Sequence, residues 1–462
     1  MRTKLNPFVA ALAIGLLSLL TSCSPSSSRP NILLITLDTT RADHLSCYGY
    51  FRKTTPNLDQ LAAEGQRFEN ALAVSSWTLP THASLFTGLF PITHGAHYSD
   101  KGRVTLSEAV EVGRKELYDT FRANGLSAES TTLAEMLKAE GYATGGIGAG
   151  PWMNPVFGLD QGFDYYDCDV NSTWGRRADE VTALGQHFIK GLERGPFFLF
   201  LNYFDPHGPY TPPKSCALQF KDEAFMARAK SDPSLKREYE TCLYDGEIFF
   251  MDKQIGYMLD TLKERGLYDD TWIIVLGDHG ELFGEHGLEK HGYSLYEGEV
   301  AMPLIIKWPE GWAPCRNTDA RYQQVDIVPT IAERLGLESP PAFEGEPLDR
   351  LTHPAVCELY RNQGNVTTKG ERFDRSLTAL YADQYKLILS TKEEDRDAGL
   401  FDLAADPAEE EDIAASRPQL AEALRTLLDQ WRASCLNPLT PKQIDAIDPE
   451  TQRQLEALGY GK

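Results

Sequence analysis

The sequence predicts an α/β fold, a mixed, mainly parallel sheet sandwiched by helices and followed by a smaller C-terminal α+β domain. Three observations carry this. Four continuous apolar runs have the length of strands, helical patterns lie between them, and shorter segments replace both beyond about residue 340. Unbroken apolar runs fit strands covered on both faces, and strands alternating with helices build parallel sheets.

The four runs are Asn31–Leu37, Phe197–Tyr203, Trp272–Leu276 and Pro303–Trp308. Between them, Thr132-Leu-Ala-Glu135 carries the signature of a capping box, with Gly141 as the stop of that helix. Ile248, Met251, Ile255, Met258, Leu259 and Leu262 recur at helical spacing and end before Gly266. Pro80-Thr81 reads as a helix start and Gly88 as its end, which leaves Thr78 just before the N-terminus. These elements place the α/β domain at residues 31–340. In residues 341–462, antiparallel strands are expected at Ser376–Asp383, Gln384–Ser390 and Gly399–Leu403, with a closing helix at Gln419–Trp431. The polar stretch Gly102–Ser127 reads as an insertion.

The 462 residues are 42% hydrophobic and 24% charged, which excludes disordered, collagen-like and polytopic membrane chains. The 67 acidic and 45 basic residues leave a net charge of −22. That field repels phosphate backbones, so no nucleic-acid partner is expected. A small anionic substrate is compatible, because a metal or a few cations can invert the potential locally. At the N-terminus, Arg2 and Lys4 precede an apolar run from Phe8 to Leu20, too short for the ~20 residues of a bilayer-spanning helix. With Leu20-Thr-Ser-Cys23 behind it, residues 1–23 resemble a bacterial lipoprotein signal. Cys23 would then carry lipid, residues 24–30 would form a tether, and the chain would sit on the membrane at the periplasmic or outer side of the cell envelope. Without lipidation it would be secreted. The other cysteines, at 47, 168, 216, 242, 315, 357 and 435, form no CxxC pair, and their odd number leaves at least one without an intrachain partner.

Ligands of open α/β sheets gather at the carboxyl ends of the strands. Asp38, Asp205 and Asp278 each follow one of the apolar runs. A single such aspartate suits a turn or cap, but these have company. Gly277-Asp-His-Gly-Glu281 is followed by Gly284-Glu-His-Gly287 and by Lys290-His291-Gly292. The glycines permit sharp turns, so Asp278 and His279 can both reach one metal, and oxygen ligands with one imidazole suit Ca²⁺, Mn²⁺ or Zn²⁺. Asp205-Pro-His207 offers another imidazole at the same edge. Thr78 is the candidate nucleophile: a helix N-terminus favours an anion, and a divalent cation lowers the pKa of a bound hydroxyl. The plain alternative is a capping threonine.

Taken together, Pro30–Asp43, Thr55-Pro-Asn-Leu58, Thr78–Gly88, Asp205–Tyr210, Gly277–Glu281, Gly284–Gly287 and Gly399–Pro407 resemble the sulfatase family, within the alkaline-phosphatase-like superfamily, over about residues 29–431. The resemblance implies the sulfatase-like fold and one divalent metal, Ca²⁺ or Mn²⁺ with Zn²⁺ as the other option, held by Asp38, Asp278 and His279. It places Thr78 at the nucleophile and among the metal ligands. It makes His207 or His291 the general acid and Lys290 the residue that steadies the oxyanion, with His82 and Arg41 as substrate-binding residues. The chain also departs from the family pattern. Sulfatases carry Cys or Ser at the nucleophile, oxidised to formylglycine, and the Cβ methyl of Thr78 prevents that aldehyde. His82 replaces the usual Arg, Thr39 the usual second Asp, and Gly145–Gly148 stands near where a Gly-Lys-Trp-His segment would fall. The expected function is metal-dependent hydrolysis of a small sulfate or phosphate ester of a glycan, lipid or aryl group. Two alternatives stay open. One is a Thr-dependent phosphodiesterase or phosphotransferase on envelope lipids or glycans, as in the superfamily's lipoteichoic-acid synthases and phosphoethanolamine transferases. The other is a catalytically degenerate binding protein.

Overall fold

Seven strands form the central sheet in the spatial order Gln66–Phe68, Leu304–Lys307, Thr271–Gly277, Asn31–Leu37, Phe197–Tyr203, Ala143–Ile147, Tyr165–Asp167. The computed structural model describes residues 29–99, 123–168, 175–193, 195–316, 320–337 and 342–440. The expected signal with Cys23, most of the Gly102–Ser127 insertion and the last residues of the chain lie outside these. Among the described residues, no helix is long and apolar enough to cross a membrane.

The three central strands are buried along their whole length. Their side chains alternate between two cores, as the strand period of two requires. Ile32, Leu34, Phe198, Phe200, Trp272 and Ile274 point to one face, where Leu79, Ala83 and Phe86 of the helix Thr78–Thr87 and Ile327 and Ile331 of the helix Ile327–Leu335 cover them. Leu33, Ile35, Leu199, Leu201, Ile273 and Val275 point to the other, under Met251, Ile255 and Met258 of the helix Lys236–Glu264 and Val181 of the helix Ala178–Gly191. Burying each such Leu or Ile stabilises the fold by roughly 1.5–3 kcal/mol.

The sheet is mainly parallel, and the fourth apolar run is the exception. Leu304–Lys307 runs antiparallel to both of its neighbours. Burial on both faces makes a strand apolar whichever way it points, so the run carries no directional signal. The expected capping box is present: Thr132 Oγ1 accepts from the Glu135 amide at 3.2 Å, and the Thr132 amide donates to Glu135 Oε2 at 2.8 Å. The helix expected to begin at Pro80 begins at Thr78, with Trp77 as its N-cap residue. Proline is tolerated throughout the first turn, so it does not mark the first helical residue. Gly88, at φ 71°, ends the helix in the left-handed conformation.

Beyond the α/β body, Ala355–Leu359, Leu377–Ala382, Tyr385–Ser390 and Gly399–Asp402 form a four-stranded antiparallel sheet in chain order. The helix Pro418–Ser434 packs Leu424, Leu428 and Trp431 against Val356, Leu380, Leu387 and Leu400. Val74, Phe90 and Val325 of the body enter the same core. The seven described cysteines are all free thiols.

An ion pair ties the two parts together. His353 Nε2 lies 2.7 Å from Asp326 Oδ1, and Asp326 also accepts the backbone amides of Gln323 and Glu346. Burial works against charge on His353, but the Asp326 carboxylate beside it prevails and pushes the imidazole up to about 9. A raised imidazole stabilises the fold fully below the unfolded value of 6.5, and that contribution is lost as pH rises through about 9. His353→Gln is therefore expected to lower stability at pH 6 by up to about 3 kcal/mol, with the gap to the parent closing towards pH 10. Thermal melts of both proteins across that range check it.

Candidate active site

Strand register brings the chemistry together. Leu37 pairs with Tyr203 on one side and Gly277 on the other, so Asp38 and Asp278 leave neighbouring strands about 4.8 Å apart. Behind Asp278 the backbone passes so close to its neighbour that a Cβ on Gly280 would stand 2.2 Å from the Gly298 carbonyl oxygen. Only glycine allows that approach, which is pinned by the Gly280 amide donating to the Glu299 carbonyl at 2.7 Å.

One ligand atom each from Asp38, Asp278 and His279 lies within 4.8 Å of the others, and all three residues are buried. Asp278 Oδ1 accepts the amides of His279 and Thr39 at 2.7 and 3.0 Å. Asp278 Oδ2 and both carboxylate oxygens of Asp38 have no hydrogen-bond partner. Burial, reinforced by the mutual repulsion of the pair, raises Asp38, and burial raises Asp278. Unpartnered buried carboxylates cost several kcal/mol each, and a divalent cation is the group that offsets this. His279 Nδ1 donates to the Gly280 carbonyl at 3.0 Å, which leaves the Nε2 lone pair available in the manner of a metal-ligating imidazole. The donor set therefore fits a divalent metal.

Thr78 opens its helix with its hydroxyl 3.4 Å from His279 Nε2. Its carbonyl accepts His82 Nδ1 at 2.8 Å, and His82 Nε2 accepts the Thr36 hydroxyl at 2.9 Å. Asn202 Nδ2 donates to Thr36 Oγ1 at 3.2 Å, while Asn202 Oδ1 accepts the Ala149 and Gly150 amides. This chain of bonds ties Thr78 to the sheet, and it redefines His82. Expected on the substrate, His82 is wholly buried with both ring nitrogens engaged, and burial pushes it down to about 4. Arg41 is likewise turned elsewhere. Its guanidinium is held by Asp43, by Glu285 and by the Glu281 carbonyl, and it lines a cavity of about 680 Å³ beside the C-terminal sheet. Asp205 holds the Ala178 amide at the start of a helix and stands outside the metal cluster.

The other expected residues do converge. The His291 ring lies 4.5 Å from that of His279 and 5.0 Å from that of His207. His207 donates Nδ1 to the Gly208 carbonyl at 2.8 Å and stacks on Phe204. His291 Nδ1 meets Glu281 Oε2 at 3.3 Å. Burial, then the charges of its neighbours, holds His207 well below the ordinary imidazole range, and burial with the nearby Lys290 charge takes His291 down to about 3. Lys290 lies on a two-residue strand at φ 72°, a left-handed conformation that costs a lysine on the order of 1 kcal/mol. Sequence reasoning missed Glu281 as His291's partner and Lys369, whose charge also reaches His291. Lys369 ends a short polar helix, Gln363–Lys369, with no apolar pattern to mark it.

The family profile described as Sulfatase matches residues 30–337, and one described as N-sulphoglucosamine sulphohydrolase, C-terminal, matches residues 284–434. The uncharacterized sulfatase YidJ of Escherichia coli is 25% identical over 87% of this chain and 88% of its own. An N-acetylgalactosamine-6-O-sulfatase of Bacteroides thetaiotaomicron is 24% identical over 92% of this chain and 98% of its own. Among solved structures, the phosphonate monoester hydrolase of Agrobacterium radiobacter superposes with a TM-score of 0.68 at 22% identity, over 88% of this chain and 96% of its own. BT4656, solved with its substrate D-glucosamine-2-N,6-O-disulfate, gives 0.66 at 20% identity over 88% of this chain and 99% of its own. With the first profile spanning well over half of the 462 residues, the chain belongs to the sulfatase family of sulfuric-ester hydrolases.

Proposed function

We propose that this chain cleaves the sulfate ester of a small anionic substrate by attack of the Thr78 hydroxyl on sulfur. The observation that carries the reading is the Thr78 hydroxyl at a helix N-terminus, 3.4 Å from His279 Nε2 and beside buried carboxylate oxygens that have no other partner. A divalent cation held by Asp38, Asp278 and His279 would lower the pKa of the adjacent hydroxyl and neutralise ester oxygens. The helix N-terminus favours negative charge developing on Thr78 Oγ1, and the bonds through His82, Thr36 and Asn202 hold the Thr78 backbone to the sheet. The Thr78 hydroxyl gives its proton to solvent, and the bond from Thr78 Oγ1 to sulfur forms as the sulfur–oxygen bond to the leaving group breaks. His207 is neutral in the substrate-free site, and the negative charge of a bound ester favours its protonated form. Its Nε2 proton then passes to the departing oxygen, while the Lys290 ammonium steadies the ester oxygens. Water releases sulfate from Thr78 and restores the hydroxyl. The expected anchorage to the envelope through Cys23 rests on the leader sequence.

A second reading is favoured by the nucleophile itself. A threonine side chain yields a ketone on oxidation rather than formylglycine, so the route open to Thr78 is direct displacement. That route serves a phosphate mono- or diester equally well, because it needs only in-line placement and charge neutralisation.

A parallel assay of sulfate monoesters, phosphate monoesters and phosphate diesters decides between the two readings. Turnover of sulfate esters is expected. Activity confined to phosphate esters, with a phosphothreonine trapped at residue 78, would establish the second reading instead. Thr78→Ala is expected to lower kcat by a factor on the order of 10³ or more. For His207→Gln, the loss should be about 10²–10⁴-fold on alkyl esters and much smaller on nitrophenyl esters, whose leaving oxygen needs no proton. A uniform loss on both would remove His207 from the acid role. Adding Mn²⁺ or Ca²⁺ to chelator-treated protein should raise Tm, and Asp38→Asn should both raise the metal-free Tm and shrink that rise.

A further inference from the structure

Lys290 and His291 lie on a segment that has little to hold it from within. The strands Leu282–Phe283 and Glu289–Lys290 make a hairpin two residues long on each side, and a two-stranded ribbon so short is not stable by itself. Across residues 284–292, five positions take a left-handed φ: Gly284 at 110°, His286 at 52°, Gly287 at 69°, Lys290 at 72° and Gly292 at 77°. For His286 and Lys290 that conformation is strained, and such strain persists only where the surroundings impose it.

The surroundings act from two sides. From the α/β body, Arg41 and Arg237 hold Glu285 at 3.1 and 3.0 Å, and Lys236 holds Glu289 at 2.7 Å. Those bonds end on long side chains, which leaves the main chain beneath them some slack. From the C-terminal part, the bonds end on the main chain itself. The His286 carbonyl accepts Arg372 Nη2 at 3.3 Å and Arg396 Nη2 at 3.2 Å. The Tyr293 carbonyl accepts Arg375 Nη2 at 3.1 Å, and the Gly292 carbonyl accepts Asn365 Nδ2 at 3.4 Å. The arginine bonds to His286 and Tyr293 thus bracket Lys290 and His291 in the chain.

Asp397 joins these arginines. Its carboxylate accepts Arg372 Nε and Nη2 at 2.8 and 2.6 Å, and Arg375 Nη2 at 2.6 Å. Arg375 Nε lies 2.6 Å from Asp395 Oδ2, and both Arg375 and Asp397 are buried. A bidentate guanidinium–carboxylate pair fixes orientation as well as distance. Tyr296 extends the clamp: its hydroxyl donates to Asp397 at 3.4 Å, and its ring stacks on that of His286 at 3.5 Å. At the other end of the segment, the His291 ring stands 5.0 Å from that of His207.

We infer that Arg372 and Arg375, joined by Asp397, are positioning residues that set the main-chain path on either side of Lys290 and His291. The inference rests on the proposed reaction, in which Lys290 steadies the ester oxygens beside His207. The C-terminal part then serves the chemistry as well as the stability of the fold.

Hydrogen exchange read by mass spectrometry tests the clamp without turnover. Arg372→Gln combined with Arg396→Gln removes both side-chain donors to the His286 carbonyl and leaves the buried Arg375 in place. Exchange across residues 284–292 should quicken about tenfold or more, with the strand Asn31–Leu37 unchanged. His353→Gln, which breaks a different tie between the two parts, should leave that segment as protected as in the parent. Arg372→Lys keeps a donor but not the bidentate pair, so it should retain part of the protection. On whichever ester the chain accepts, the double variant should lower kcat about 10–100-fold and change KM less than about threefold. In a Lys290→Gln background its further effect on kcat should be much smaller, since the residue it places is gone. Should the double variant not fold, Arg372→Gln alone carries the same comparisons. Unchanged exchange at 284–292, equal loosening of the whole chain, or full additivity with Lys290→Gln overturns the inference. Selective loosening in a chain that hydrolyses no ester would leave the clamp standing and sink the proposed reaction.

Discussion

Two carboxylates share a space from which water is excluded. Asp38 and Asp278 are brought there by the pairing of Asn31–Leu37 with Thr271–Gly277, and three of their four oxygens have no hydrogen-bond partner. Such an arrangement is tolerable only when a cation offsets both the lost hydration and the mutual repulsion. Much of the surrounding structure serves to hold it. Fully buried strands fix the register, the close approach of Gly280 to Gly298 turns the chain under Asp278, and the Gly280 carbonyl orients the His279 ring. Thr78 is positioned against the same centre by its helix and by a chain of bonds that runs back into the sheet.

The −22 charge acquires a local meaning at this point. An anionic ester approaching an acidic protein needs a region where the sign reverses. The donor set of Asp38, Asp278 and His279 fits a divalent cation, the charge that would reverse the sign there. Arg41 shows how readily the surplus acids would prevent it, since Asp43 and Glu285 have taken its guanidinium.

How legible the fold was varied with the kind of signal. The strands Asn31–Leu37 and Phe197–Tyr203 have the bounds their apolar runs indicate, because burial on both faces requires apolar side chains throughout. Ala143–Ile147 did not show itself. Its two glycines leave room for the Phe188 and Tyr166 rings, where Cβ atoms would stand 2.6 Å away, so the strand owes its burial to its neighbours' side chains. The direction of Leu304–Lys307 left no trace in its composition, and Glu358 interrupts the apolar run of Ala355–Leu359.

By itself the sequence determined the α/β class, the strand-end aspartates and the run of Gly, Asp and His that places Asp278 and His279 together, since backbone turns and strand burial demand particular residue types within a few positions. Its motifs in order also determined the family. Only the tertiary structure decided which polar residues face one another. It joined Asp38 to Asp278 across 240 positions, enclosed His82 beneath Thr78, turned Arg41 towards its own acids and brought the His207 ring against that of His291. Such long-range meetings depend on register and packing across the whole chain, and no local pattern encodes them.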